Sequence, residues 1–517
     1  MEYKLPILLF LLASVFIFAL PIGNFPLEDD YAYYTMVKEF IQNGNITSHP
    51  ASTATFILPI FYGALASKLL GLSHNTLALS TMLLSAFSIV AIYFFLRIWL
   101  SKKLSVAGAL FTLFNPIFFY LGHTFMTDIP TFLFMMLSIG FFYKGVESKN
   151  STYLFFGAVS SILGFLIRQY AVMPLAATVA YLIFTQRRSF FTLKNIMILI
   201  VLPAIFIVPA ALLHASLHDF SACPYSFAVG PTAAKNLVQF LIHFGFFIFP
   251  FSLLYIANYK KIYADFSGLH KPLKIAVASI PIILVLFLFA RYLYGIDIMP
   301  YATSMIKPNG VGADTISGIK PFLFPEAVWI PITILSFIAV TCFAVQFLKR
   351  ALEKDKLFLI VMLVFLITSM FVYRHFYDRY YLISIPILLL YLFQASKDYK
   401  LFKPILILSL IIFGFWAYYG TYDHMSWNTA RWEGINYLLQ SGIPQEKIDG
   451  GMEYDARFFV RCVVPEGAVN WHGWAYSLSD EYVISFSKLD GYESLKDIDY
   501  FGPFKEKLGT IYVLKKV

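Results

Sequence analysis

Apolar residues along this chain gather in stretches of about 20, and short polar clusters punctuate them. A helix needs about that length to cross hydrocarbon, where the backbone groups of an open strand find no partner. The pattern predicts about thirteen transmembrane helices, over 5–22, 75–96, 103–121, 129–146, 153–170, 171–186, 195–213, 236–257, 275–293, 327–348, 357–373, 380–395 and 404–420. The first lacks a small-residue cleavage site before Pro26 and Glu28, so a retained anchor is expected. Residues 54–70 are apolar too, but Pro59, Gly63 and Lys68 interrupt them. They are expected to lie along the membrane surface inside one external loop, 23–74. From about 421 the composition turns polar. Asn428 to Leu439 has a helical period that stops at Ser441-Gly442, and Tyr482 to Phe486 and Thr510 to Leu514 read as strands. The expected fold is therefore an α-helical polytopic membrane protein over 1–420, followed by a small external soluble α/β domain over 421–517.

Composition agrees: 59% of the residues are hydrophobic and 13% charged, with a mean hydropathy of +0.71, a balance that cannot cover a soluble surface. Charge adds orientation. With the N-terminus inside, 20 lysines and arginines fall at cytoplasmic loops and span ends, against 9 outside before the tail. The excess places the N-terminus in the cytoplasm and the C-terminal domain outside. The net charge of +9 is thus topological, and its scatter over many loops gives no stripe for nucleic acid. Of the three cysteines, Cys342 lies in a span, while Cys223 and Cys462 are external and lack the spacing of a disulfide framework. Metal-finger, EF-hand, Walker and dinucleotide patterns are absent, and no internal repeat is evident. Sequons do not fix the sidedness, since Asn45-Ile46-Thr47 is expected outside and Asn150-Ser151-Thr152 inside.

Four ionisable clusters collect on the expected outer side: Glu28-Asp29-Asp30-Tyr31, His123 to Pro130 with Asp128, Arg168-Gln169-Tyr170, and Tyr373 to Tyr381 with Arg374, His375 and Arg379. Each has a structural reading as interfacial belt, helix cap or snorkelling cation. Belts and caps, however, would be shared between both faces. Carboxylates from early loops and cations from later ones are also chemically complementary. Two other classes remain open. A transporter or flippase of lipid-linked sugars would line a cavity with such groups, although transporter sites lie near the midplane between repeated halves. A non-catalytic glycan-binding protein could use Trp427, Trp432, Trp471 and Trp474 of the tail, which serve equally as domain core.

Asp29-Asp30-Tyr31-Ala32-Tyr33 opening the first external loop, Phe125-Met126-Thr127-Asp128 at the second, and Arg379-Tyr380-Tyr381-Leu382 before Pro386 resemble the motifs of polytopic type C glycosyltransferases. That family includes the protein O-mannosyltransferases and the lipid A aminoarabinose transferases. The resemblance implies a GT-C-like fold and inverting transfer from a polyprenyl- or dolichyl-phosphate-linked sugar to a protein, lipid or glycan acceptor at the outer face of the cell membrane. It casts Asp29 as general base with Asp30 its nearest competitor, and Asp128 as a second acceptor-positioning or metal-binding carboxylate. Arg168, Arg374, His375 and Arg379 would be the phosphate-binding cations, and Tyr31, Tyr33 and His123 acceptor or sugar contacts. A divalent ion on Asp29 and Asp128 is compatible with this set, and no other cofactor is expected. Two features depart from the family: Asp-Asp stands where Asp-Glu is commoner, and no soluble domain interrupts the spans. The acceptor class stays open.

Overall fold

The computed structural model describes residues 4–50, 52–185, 190, 192–217, 230–294, 305–351, 356–371, 377–456, 467–472 and 475–517. Each of the thirteen expected stretches is largely helical among the described residues. Among the described residues, seven helices are long and apolar enough to cross a membrane, or eight if one bent pair is a single span, and five more are shorter. The bent pair, Pro231–Phe247 and Phe251–Ala257, turns through 80° beside Pro250. The stretch expected at 103–121 is two helices, Lys102–Leu113 and Pro116–Leu121. Asn115 breaks it, its side chain accepting from the Ile117 and Phe118 N–H groups, with Pro116 at the first helical position where no N–H is needed.

Small residues set how closely the helices approach. Asp128–Ser148 and Ser151–Phe165 form a hairpin in which Gly145 faces Leu154 and Gly157 faces Phe142, too near for a side chain at either glycine. Between them, Ser138 donates to the Gly157 carbonyl at 3.0 Å and lies 2.8 Å from Ser161 Oγ. Without a hydrophobic drive between helices in lipid, such contacts and packing hold neighbours together. Asp378–Ser396 is central, with 89% of its apolar window buried, whereas Lys271–Leu293 is buried over only 11% and turns Ile282, Leu286 and Phe289 outward. The helix Ile57–Leu70 keeps Phe61, Leu65 and Leu69 exposed. Its start is tied to the Arg168 turn, since the Phe56, Ile57 and Leu58 N–H groups donate to the Ile167 and Leu166 carbonyls.

The polar tail does not begin a new element. One helix, Phe402–Gln440, runs 39 residues through the change of composition at 421, because hydropathy changes there and helix propensity does not. Its second half packs on a four-stranded sheet of β3 (Ile448–Asp449), β6 (Tyr482–Ser485), β8 (Lys507–Lys516) and β7 (Tyr492–Phe501), in that spatial order. β3 is parallel to β6 and the other pairs are antiparallel. Trp427, Ile435, Leu438, Ile484, Ile498, Ile511 and Val513 form their shared core. Before the tail, β1 (Ile306–Lys307) and β2 (Gly310–Val311) make a short hairpin, and β4 (Asn470–His472) pairs with β5 (Ala475–Ser477) inside the C-terminal domain.

Candidate active site

The acidic loop between Lys4–Phe18 and Asp30–Asn43 is a tight turn, and its three carboxylates have three different environments. Asp30 faces inward. Its Oδ1 accepts the Leu27 N–H at 2.6 Å, and its carboxylate takes a second backbone N–H from Phe125. Burial nevertheless pushes its carboxyl well above the usual carboxylate range. Glu28 is buried as well, accepting from the Tyr120 hydroxyl and the Ala313 N–H at 3.0 Å each. Burial and the neighbouring Glu453 charge push it up to about 7. Asp29 stands at the N-cap of Asp30–Asn43 but makes no capping hydrogen bond. Its side chain is 23% exposed, against 5% for Asp30. Of the two adjacent aspartates, Asp29 is the one open to a reactant.

Asp128, Arg168 and Arg379 come to the same place from three other helix starts. Arg379 NH2 lies 3.8 Å from Asp29 Oδ2, and its Nε lies 3.8 Å from Asp128 Oδ1. Both carboxylate oxygens of Asp128 are buried with no hydrogen-bond partner among the described residues. Arg168, also buried, donates from Nε to Thr127 Oγ1 at 2.5 Å, one residue before Asp128. The guanidinium of Arg379 sits over the Tyr377 ring at 4.9 Å. Two carboxylates thus flank one buried cation, a second cation stands beside them, and one of the carboxylates has unspent acceptor capacity. Asp128, whose oxygens accept no hydrogen bond, and the partly open Asp29 are the hard-oxygen ligands that would hold a divalent cation here, and such an ion would supply positive charge for an acceptor or a phosphate oxygen.

The remaining expected contacts divide. His123 is buried, with Nδ1 2.7 Å from the Phe119 carbonyl and Nε2 2.8 Å from the Ile17 carbonyl, so it pins the first helix to the bundle and has no free nitrogen for a sugar. Tyr33 is 1% exposed and stacks on Phe56 at 4.2 Å, so it is core beside the site. Tyr31 is partly open, edge-on to His49 at 5.6 Å. Arg374 and His375 lie outside the described residues, as do Cys223, Cys462 and Trp474. Trp427 is fully buried, which makes it domain core.

Several groups that the sequence left unassigned build the surroundings. Residues 305–323 form a strap across the site. Asp378 Oδ2 accepts the Met305 and Ile306 N–H groups at 2.9 Å each, and Lys320 Nζ meets Asp423 Oδ2 at 2.5 Å in a buried ion pair. Gly312, at φ 89°, lies so close to His424 that a Cβ there would fall 2.3 Å from its Nδ1. In the C-terminal domain, the buried Arg431 pairs with Glu453 Oε2 at 2.7 Å. Farther along, Asp449, Asp455 and His472 bring possible metal-ligating atoms within 4.8 Å of one another. Their carboxylate oxygens already have protein partners: His472 and Asn470 bond Asp449, and the Gly450 and Gly451 N–H groups reach the two aspartates. The Asp378–Met305 and Lys320–Asp423 pairings carry no sequence signal, because the partners lie 73 and 103 residues apart and each residue type alone is common.

Residues 49–213, about a third of the chain, match the family of dolichyl-phosphate-mannose-protein mannosyltransferases. The resemblance to that glycosyltransferase family is borne out, with the Phe125 to Asp128 motif inside the matched segment. The matched segment contains Asp128 and Arg168, while Asp29 precedes it and Arg379 follows it. Among solved structures, the chain is similar to ArnT from Cupriavidus metallidurans bound to undecaprenyl phosphate, at 12% identity and a TM-score of 0.44, over 98% of this chain and 97% of that one. It is also similar to the archaeal oligosaccharyltransferase AglB from Archaeoglobus fulgidus in complex with an inhibitory peptide and a dolichol-phosphate. There the identity is 15% and the TM-score 0.41, over 84% of this chain and 58% of that one. No curated protein matches the chain.

Proposed function

We propose that this chain is an inverting glycosyltransferase that moves a sugar from a polyprenyl- or dolichyl-phosphate donor to a hydroxyl of a protein, lipid or glycan acceptor at the outer membrane face. The observation that carries the proposal is the convergence of Asp29 and Asp128 on Arg379, with Arg168 beside them, at one end of an apolar bundle. A lipid tail dissolves among the helices while its phosphate and sugar stay at their ends. Arg379 and Arg168 offer planar, permanently charged donors to the phosphate, and Arg379 would exchange part of its carboxylate pairing for phosphate oxygens. Asp29 takes the proton of the acceptor as the acceptor heteroatom bonds to the anomeric carbon. The carbon–oxygen bond to phosphate breaks on the opposite face, and its electron pair leaves with the polyprenyl phosphate. Cations already in place stabilise that growing charge without reorganising. One displacement inverts the anomeric centre. Asp128, with oxygens to spare, holds the acceptor or a divalent ion. The family match over 49–213 supports the donor class.

The test is direct. Purified protein in lipid nanodiscs is given polyprenyl- and dolichyl-phosphate sugars labelled in the sugar, together with acceptor mixtures, and the label is followed. Acceptor-dependent loss of label from the lipid is the expected result. Translocation of intact labelled lipid in vesicles, with no label released, would establish a transporter in place of a transferase.

A further inference from the structure

Glu28 is a non-glycine residue at φ 54°. L side chains occupy that left-handed region only where their surroundings over-determine it. Here three distant parts of the chain do so. The Glu28 N–H donates to Glu453 Oε1 at 3.1 Å, while its carboxylate accepts from Tyr120 of the bundle and Ala313 of the strap. Glu453 is itself braced, because its other oxygen takes Arg431 NH1 at 2.7 Å. Arg431 is fully buried and spends its Nε on the Gly450 carbonyl at 2.8 Å and its NH1 also on Thr315 and Asn428. Asp29 follows Glu28 directly and has no capping hydrogen bond of its own to aim it. Its direction is therefore set by the peptide before it together with the Arg379 guanidinium, 3.8 Å from its Oδ2.

We propose that Glu453, braced by Arg431, is a positioning residue for Asp29: the C-terminal domain holds the Glu28 backbone in its left-handed turn and so fixes where the carboxylate of Asp29 points. The domain is then a working part of the site and more than a neighbour tethered to it. The inference rests on Asp29 being the base, as proposed above, and its own geometric content can be read without any activity.

The experiment uses the full chain with Glu453→Ala, and with Glu453→Gln, which keeps one acceptor oxygen. Amide hydrogen exchange over residues 25–37 reports the turn. Glu453→Ala should speed exchange there while leaving the hairpin helices at 128–165 unchanged, and Glu453→Gln should recover part of the protection. Turnover per molecule of bound donor should fall about tenfold or more in Glu453→Ala. In an Asp29→Asn background the same change should cost nothing further, since a residue acting through Asp29 has nothing left to position. Unchanged exchange at 25–37, or an equal loss of turnover in both backgrounds, would overturn the proposal. If the unsubstituted protein transfers no sugar, the transferase assignment fails, while the exchange result still decides whether Glu453 holds the turn.

Discussion

Asp29→Asn and Asp30→Asn change neighbouring residues by the same atoms, yet the structure predicts opposite phenotypes. Asp29 makes no capping hydrogen bond and is partly open, and Arg379 keeps Asp128 as a charge partner, so an amide of nearly equal shape should cost little folding stability, about 1 kcal/mol or less. It cannot take up the acceptor's proton. A general base contributes about 10²–10⁴ in rate, equivalent to roughly 2.7–5.4 kcal/mol of barrier, so turnover should fall by that factor with donor binding retained. Asp30 is buried and its carboxylate receives the Leu27 and Phe125 N–H groups. Its amide keeps one acceptor oxygen and turns an NH₂ inward, costing about 1–3 kcal/mol of stability if a buried donor loses its partner. The assay pairs single-turnover transfer, normalised to bound labelled donor, with thermal unfolding in detergent. Near-normal turnover in Asp29→Asn beside a folded, inactive Asp30→Asn would move the base by one residue. Near-normal turnover in both would falsify the mechanism.

Arg379→Lys keeps the charge but loses the planar fork, and should raise the donor KM about tenfold, about 1.4 kcal/mol, in a donor titration. Lys320→Met strands a buried Asp423 and should cost about 3–5 kcal/mol in thermal unfolding, with most of the loss recovered in Lys320→Met with Asp423→Leu. Burial and the Asp449 charge hold the carboxyl of Asp455 well above its usual range. A pKa raised by folding gives stability that is complete below about pH 4 and is lost as pH rises toward the raised value. With chelator present, Asp455→Asn should therefore flatten the fall in melting temperature between about pH 4 and pH 8. Finally, in a cysteine-free background, an impermeant maleimide should label Glu446→Cys in intact cells and Lys103→Cys only after permeabilisation. The reverse pattern would invert the orientation drawn from the lysines and arginines.

Much of the fold was legible because hydropathy and periodicity are local properties. Apolar stretches of helix length, the stop at Ser441-Gly442, and the strands at Tyr482 and Thr510 all declare themselves within a window of about 20 residues. The carboxylate and arginine candidates were visible as well, since charge beside an apolar stretch is conspicuous. The helix Phe402–Gln440 runs unbroken through the composition change at 421, because composition records the surroundings of a helix and not its end. β7 went unnoticed because Tyr492–Phe501 is largely exposed and polar, so it lacked the apolar run that marked β6.

By itself, then, the sequence determined the membrane class, the helical plan, the polar tail and the short list of reactive groups. Only the tertiary structure decided which aspartate is partly open and which is spent on a turn, that Arg379 stands between Asp29 and Asp128, and that His123 is bound up by backbone carbonyls. Only folding, too, laid the 305–323 strap and the Arg431–Glu453 pair against the acidic loop. The physical reason is distance along the chain. Glu28 and Glu453 are 425 residues apart, and a hydrogen bond between them leaves no trace in any local pattern. It forms because the helices around it pack in one arrangement, which brings the C-terminal domain against the acidic loop.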